Sequence, residues 1–203
     1  MGYILVIIAA YLIGSSNMAL YLSKLKHIDA RAGGSGNLGA SNATLLMGWG
    51  AGALVAVHDI GKSALAVILA RLLFPQLEHI GAVAGVASVL GHIFPFYLRF
   101  KGGKGFASYL GMTLALNWKF ALVIMALVVV VTLVTDYIVA GTTLTVLSAP
   151  VYLGVTTHSL VLALILCVAT AVIVYKLRRN YVNIWKGTEI GLRSAAKGEH
   201  RVK

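Results

Sequence analysis

Two short stretches hold residues whose types and spacing suit anion chemistry. The first is GGSGNLGASN, residues 33–42, which follows the cations Lys24, Lys26 and Arg31. Glycine lets successive N–H groups turn toward one point, and a helix that starts after such a loop adds partial positive charge. The run ATLLMGWGAGALV comes next, so loop-then-helix fits, and Ser35, Asn37, Ser41 and Asn42 add side-chain donors. No G-K-[ST] follows, so this is not a Walker sequence. Taken alone, the glycines are explained about as well by close helix–helix contact through small residues. The second stretch is KGGKG, residues 101–105, where Lys101 and Lys104 flank Gly102 and Gly103 and Gly105 follows. Two lysines on a glycine turn at a helix start make a second anion site. Topology accounts for Arg99, but it has no use for three glycines between and after two lysines.

Other polar residues carry weaker signals. Asp59 and Lys62 stand three apart, so on a helix they are neighbours and can pair. A charge pair at a membrane boundary serves function or register about equally often. His92 precedes Pro95 at the end of an apolar run, where a lone histidine is more often a hydrogen-bonded structural residue than a base. The stretch RRNYVNIWKGTEIGLR reads as an interfacial helix with snorkelling cations and Trp185 as anchor. That reading covers Arg178, Arg179 and Lys186 better than Asn180 and Glu189. There is no H-x-x-x-x-D and no H-E-x-x-H, and the histidines at 27, 58, 79, 92, 158 and 200 lack metal spacing. No metal and no cofactor are expected. The lone Cys167 allows neither an intramolecular disulfide nor a C-x-x-C site and reads as a buried small hydrophobe.

The elements that must position these groups are membrane helices. Of 203 residues, 59% are hydrophobic and 11% charged, and the mean hydropathy is +0.88. A soluble domain carries roughly a quarter of its residues as charges. The chain therefore reads as an all-α, polytopic integral membrane helical bundle, one membrane domain over 1–203. Its 17 Lys and Arg against six acids mark cytoplasmic loops, an anionic substrate, or both. Nucleic acid is not expected as a partner, because the basic residues sit at membrane boundaries. No basic residue precedes the first apolar run, Tyr3–Leu22, which predicts a retained helix with its N-terminus outside. Further apolar stretches cover 40–57, 61–76, 80–98, 105–118, 119–134, 138–156 and 158–176. Cation-rich segments at 24–31, 99–104 and from Lys176 should share the cytoplasmic side. Parity then demands that one early segment not cross. The glycine-bearing 40–57 is assigned that re-entrant role, giving seven transmembrane helices with the C-terminus inside. A five-span arrangement obeys the same charge rule. Either way the polar clusters 29–42, Asp59 with Lys62, 91–104 and 176–193 gather at one membrane face.

Together and in this order, the motifs resemble those of the bacterial acyl-phosphate:glycerol-3-phosphate acyltransferases, the PlsY family. They are GSSNMALYLSK, DARAGGSGNLGASN, DIGK, GHIFPFYLRFKGGKGFAS and NYVNIWKGTE, spread over nearly the whole chain. The resemblance implies a multi-pass inner-membrane enzyme with its active site toward the cytoplasm. It would move a fatty acyl group from acyl phosphate to the 1-hydroxyl of glycerol 3-phosphate, giving lysophosphatidate, with membrane lipid around the acyl chain. Lys104, Ser35 and Asn180 would be catalytic. Gly34, Gly36, Asn37, Gly39, Ser41 and Asn42 would bind the acyl phosphate's phosphate. Lys101, Gly102 and Gly103 would hold the glycerol phosphate, with Lys62, His92 and Thr142 as further binding residues. The chain departs from the family pattern at Leu45 and Leu177, where basic or imidazole side chains are usual. It departs again at Asp136, where a cation is common, and at Val139 and Thr142, where serines are common. Asn17 stands in place of an early proline, and DIGKSALA carries Ser63 and Ala66 in place of Gly and Pro. These departures motivate two alternatives, an acyl-phosphate-dependent transferase with another hydroxyl acceptor, or a non-catalytic lipid- or phosphate-binding protein on the same scaffold.

Overall fold

Without water in the bilayer core, a crossing segment must satisfy its own backbone, and a helix does so within one segment. The computed structural model describes residues 1–193, and residues 194–203, with Glu199 and His200, lie outside the described residues. Among the described residues the order is α1 (Gly2–Ser15), α2 (Met18–Leu25), α3 (Ala40–Met47), α4 (Trp49–Leu73), α5 (Ile80–Ile93), a 3-10 turn (Phe96–Leu98), α6 (Phe106–Leu116), α7 (Trp118–Thr135), α8 (Ile138–Thr156) and α9 (Leu160–Trp185). Six stretches among the described residues are long and apolar enough to cross a membrane, the first being α1 with α2 over Gly2–Leu25, and α6 is a shorter apolar helix. This is a multi-pass, all-helical membrane protein.

The chain divides into two compact units, Met1–Trp118 and the part from Lys119 onward. In the first, α1 packs along α5, and α4 packs against α3, α5 and α6. The α1–α5 contact is close because it runs through small residues. A Cβ on Gly14 would collide with the Ser88 backbone, and one on Gly91 with that of Tyr11. Two tyrosines tie the ends of these helices together: Tyr11 Oη donates to Phe94 O at 2.6 Å and Tyr97 Oη to Ser15 O at 2.6 Å.

In the second unit α8 packs on α9. Thr170 Oγ1 donates to Val146 O at 2.8 Å, and Thr143 Oγ1 lies 2.6 Å from Tyr181 Oη. After α9 the chain turns back within this unit. Leu192 N donates to Asp136 O and Arg193 N to Asp136 Oδ1, both at 2.8 Å.

Two sequence expectations are corrected here. Residues 40–57 and 61–76 are not a re-entrant segment followed by a separate span. The break falls at Gly48, between the short α3 and a continuous α4 of 25 residues. Asp59 and Lys62 looked like a boundary, but they lie inside α4 at 2% and 6% exposure and neutralise each other. A paired charge does not end an apolar helix the way a lone one does. Cys167 is exposed on α9 rather than buried, as are Leu164 and Val168 beside it.

Candidate active site

The glycine-rich loop is held from behind. Asn17 accepts from Leu20 N at 2.9 Å, capping α2, and its amide donates to Leu38 O at 3.4 Å. Ser23 Oγ accepts from Ala30 N at 3.0 Å and donates to Ile28 O. Asp29 Oδ1 takes the Arg31 N–H at 2.9 Å, forming a local side-chain turn. Asn42, fully buried, closes the loop: its Oδ1 accepts from Ser35 N at 2.7 Å and its Nδ2 donates to Ala30 O at 2.8 Å and Gly33 O at 3.4 Å. Gly34 has φ +57°, and a Cβ there would overlap Asn42 Oδ1, so the latch itself requires glycine at that position.

What remains faces outward. Gly34, Ser35, Gly36 and Ser41 are exposed, and Asn37 and Gly39 are half-buried. Gly39 begins α3 without a side-chain cap. Among the described residues the N–H groups of Gly34 and of 37–42 meet no acceptor. These are main-chain donors without acceptors leading into a helix start, the kind of group that receives an anion.

The lysine turn is built on the end of α5. Gly102 N donates to Ile93 O at 3.0 Å and Gly103 N to His92 O at 3.1 Å. Lys101 is exposed, Gly102 half-buried, Gly103 buried, and Lys104 half-buried just ahead of α6. Leu98, immediately before this turn, shares a buried cluster with Leu38 and Ala30 of the glycine loop, Ala43 of α3 and Val55 of α4. The two anion-suited stretches therefore lie at the same end of the first unit. Lys24, Lys26, Arg31, Arg99 and Lys101 are all exposed there, so the field at that end is positive.

Beneath them sits an ionic cluster. Lys62 Nζ bonds Ser16 O at 2.6 Å, Asp59 Oδ1 at 2.7 Å and His92 Nδ1 at 2.9 Å. His58 Nδ1 is 3.4 Å from Asp59 Oδ1, and its Nε2 is 3.0 Å from Ser16 Oγ. The i,i+3 pairing of Asp59 and Lys62 follows the sequence spacing. Sequence reasoning missed the contributions of Asn17, Ser16 and His58. Asn17 had a readable signal, since Asn just before M-A-L-Y is a helix N-cap.

Thr142 and Asn180 belong to the second unit. Thr142 is buried and donates back along α8 to Ile138 O at 2.9 Å. Asn180 is buried, donates through Nδ2 to Glu189 Oε1, and leaves Oδ1 without a hydrogen-bond partner. Leu177 is buried one turn earlier on α9, and Leu45 is half-buried on α3. Among the described residues no cluster of His, Cys, Asp or Glu has the grouping to hold a metal ion.

A glycerol-3-phosphate acyltransferase family profile matches residues 4–187. A glycerol-3-phosphate acyltransferase of Coxiella burnetii (strain CbuG_Q212) is 36% identical over 190 residues, covering 93% of this chain and 97% of the relative. One from Prochlorococcus marinus (strain MIT 9301) is also 36% identical, with 92% and 95% covered. The crystal structure of PlsY (YgiH), an integral membrane glycerol 3-phosphate acyltransferase, superimposes in its glycerol 3-phosphate form with TM-score 0.90 at 31% identity, covering 97% of this chain and 98% of that one. Its lysophosphatidic acid form gives TM-score 0.85 at 31% identity, with 94% and 95% covered. Sequence and fold agree over nearly the full length of both partners, and the chain belongs to the glycerol-3-phosphate acyltransferase family.

Proposed function

We propose that this chain transfers a fatty acyl group from acyl phosphate to the 1-hydroxyl of glycerol 3-phosphate, giving lysophosphatidate. The observation that carries the reading is the pairing, at one end of the first unit, of an open row of main-chain donors with the Lys101–Lys104 turn. An acyl phosphate is a mixed anhydride, already activated, so no covalent enzyme intermediate is required. The acceptor oxygen bonds to the carbonyl carbon, the bond from that carbon to the phosphate oxygen breaks, and the hydroxyl proton leaves with the phosphate. The protein's work is to hold two anions together and orient the hydroxyl, with fixed donors meeting the charge that develops.

In this reading the amides of 34–42 receive the phosphate of the donor, with Ser35 beside it. Lys101 and Lys104 hold the glycerol phosphate and offset the departing charge. Lys104, Ser35 and, in the second unit, Asn180 are the catalytic candidates, and Thr142 a binding one. The whole chain acts as one membrane domain of the bacterial inner membrane. It crosses seven times with the N-terminus outside, and the glycine loop and lysine turn face the cytoplasm. The exposed cations at that end support the orientation.

The test is turnover by purified protein in lipid, with palmitoyl phosphate and a panel of hydroxyl acceptors. Lysophosphatidate formed with glycerol 3-phosphate alone supports the proposal. Turnover with another acceptor favours the second reading, which rests on the apolar side chains of Leu45 and Leu177, neither able to donate to a phosphate. Ligand binding without turnover leaves a non-catalytic binder.

A further inference from the structure

The Lys62 ammonium has three N–H groups, and three protein acceptors lie within 2.9 Å of it: Ser16 O, Asp59 Oδ1 and His92 Nδ1. At 6% exposure it has no hydrogen left for a substrate phosphate. The sequence motif suggested a ligand, but the geometry gives it a different task. It joins three elements, the carbonyl end of α1, the middle of α4 and the last turn of α5. A buried ion pair adds little stability over well-packed apolar residues, and its best-attested use is to fix an arrangement.

What it fixes lies one layer above. The His92 carbonyl holds Gly103 N at 3.1 Å. A Cβ added to Gly103 would overlap imidazole Nε2 and stand 2.7 Å from Cε1, so the Gly103 backbone is seated against the Nε2 side of the ring whose Nδ1 Lys62 holds. Lys104 is the next residue. We propose that Asp59 and Lys62 are positioning residues that act through His92 on Gly103 and thereby set the placement of Lys104. This rests on the assignment of Lys104 to the transfer reaction.

A double-mutant cycle tests it. Wild type, Lys62→Met, Lys104→Ala and the double variant are compared for turnover and for glycerol 3-phosphate affinity by calorimetry, each corrected for its folded fraction from thermal unfolding. A misplacement of about 1 Å costs on the order of a hundredfold in rate. Lys62→Met is therefore expected to lower kcat about ten- to a hundredfold, with KM for palmitoyl phosphate within about twofold of wild type. It should weaken glycerol 3-phosphate binding when Lys104 is present and change it less than about twofold when Lys104 is absent. Equal losses in both backgrounds overturn the proposal, because they mark a global or separate effect. Gly103→Ala reaches the same joint from the other side, pressing on His92 while Asp59 and Lys62 keep their own side chains, so it serves even if Lys62→Met fails to fold. A Gly103→Ala protein with wild-type kcat also overturns the proposal. If Lys104→Ala itself keeps full turnover and affinity, the assignment of Lys104 fails instead, which separates the two ideas.

Discussion

Asn42→Ala isolates the latch of the glycine loop from its open face. The substitution removes the bonds from Ser35 N at 2.7 Å and to Ala30 O at 2.8 Å, together with the long one to Gly33 O at 3.4 Å. A neutral hydrogen bond contributes about 1 kcal/mol net, and a buried acceptor left unpaired costs about 1–3 kcal/mol. Ala30 is 1% exposed, so its carbonyl falls in the second class. Ser35 N sits on the exposed side and can turn to water. The loss is about 2–4 kcal/mol, confined to the loop, because Asn17 and Ser23 still hold its base. An anion that needs the closed loop binds more weakly by the fraction that remains closed. The KM for palmitoyl phosphate should rise by up to roughly thirty- to several-hundredfold, with kcat changed less. Hydrogen exchange at the Ser35 and Gly36 amides should accelerate by a similar factor. Ser35→Ala is the control: it keeps the Ser35 N–H, so it should alter turnover while leaving exchange in the loop unchanged. An Asn42→Ala protein with wild-type exchange at Ser35 and an unchanged KM would refute the argument that this side chain holds the loop in its receiving shape.

Other outcomes follow from the same geometry. Lys104→Ala should abolish lysophosphatidate formation, whereas Arg71→Ala, at the far end of α4 with its guanidinium on Ala115 O at 2.7 Å, should keep it. Equal activity in the two variants removes the lysine assignment. Asp136→Ala removes the Oδ1 that takes Arg193 N and faces its guanidinium, while the Asp136 main-chain carbonyl still holds Leu192 N, so exchange should rise at Arg193. Losing those contacts costs about 1–2 kcal/mol locally, with little change in the melting of the rest. Gly14→Leu should push α1 off the Ser88 backbone and destabilise the protein in detergent by at least the 1–3 kcal/mol typical of overpacking, read as a lower thermal midpoint. Unaltered melting would show that the helices part at no cost. In a Cys167→Ser background, Ala32→Cys should react with a membrane-impermeant maleimide in inverted vesicles and not in right-side-out ones. The reverse pattern would invert the proposed orientation.

The helices were legible because lipid makes apolar length a direct signal, and the two anion-suited stretches because glycine beside lysine has few other uses. The sequence misled where a side chain's partner lies far along the chain. Asp59 and Lys62 looked like a boundary because local reading sees two charges and cannot see His92 and the Ser16 carbonyl closing over them. The same blindness hides roles within the loop. Ser35, Asn37, Ser41 and Asn42 are interchangeable by type, all short polar donors. Yet Asn42 turns inward onto Ala30 and Ser35 while Ser35 and Ser41 stay exposed. One fact separates them: Asn42 lies in the first turn of α3, and the cluster of Leu38, Ala43 and Leu98 fixes which side of that turn faces the protein. Leu38 is the apolar residue within the loop, and its burial is what leaves the flanking amides outside. A loop made only of glycine and polar residues would have nothing to bury, so it would lose the entropy of ordering with little return. Leu38→Ser should therefore weaken anion binding as strongly as loss of a donor, although its side chain presents none.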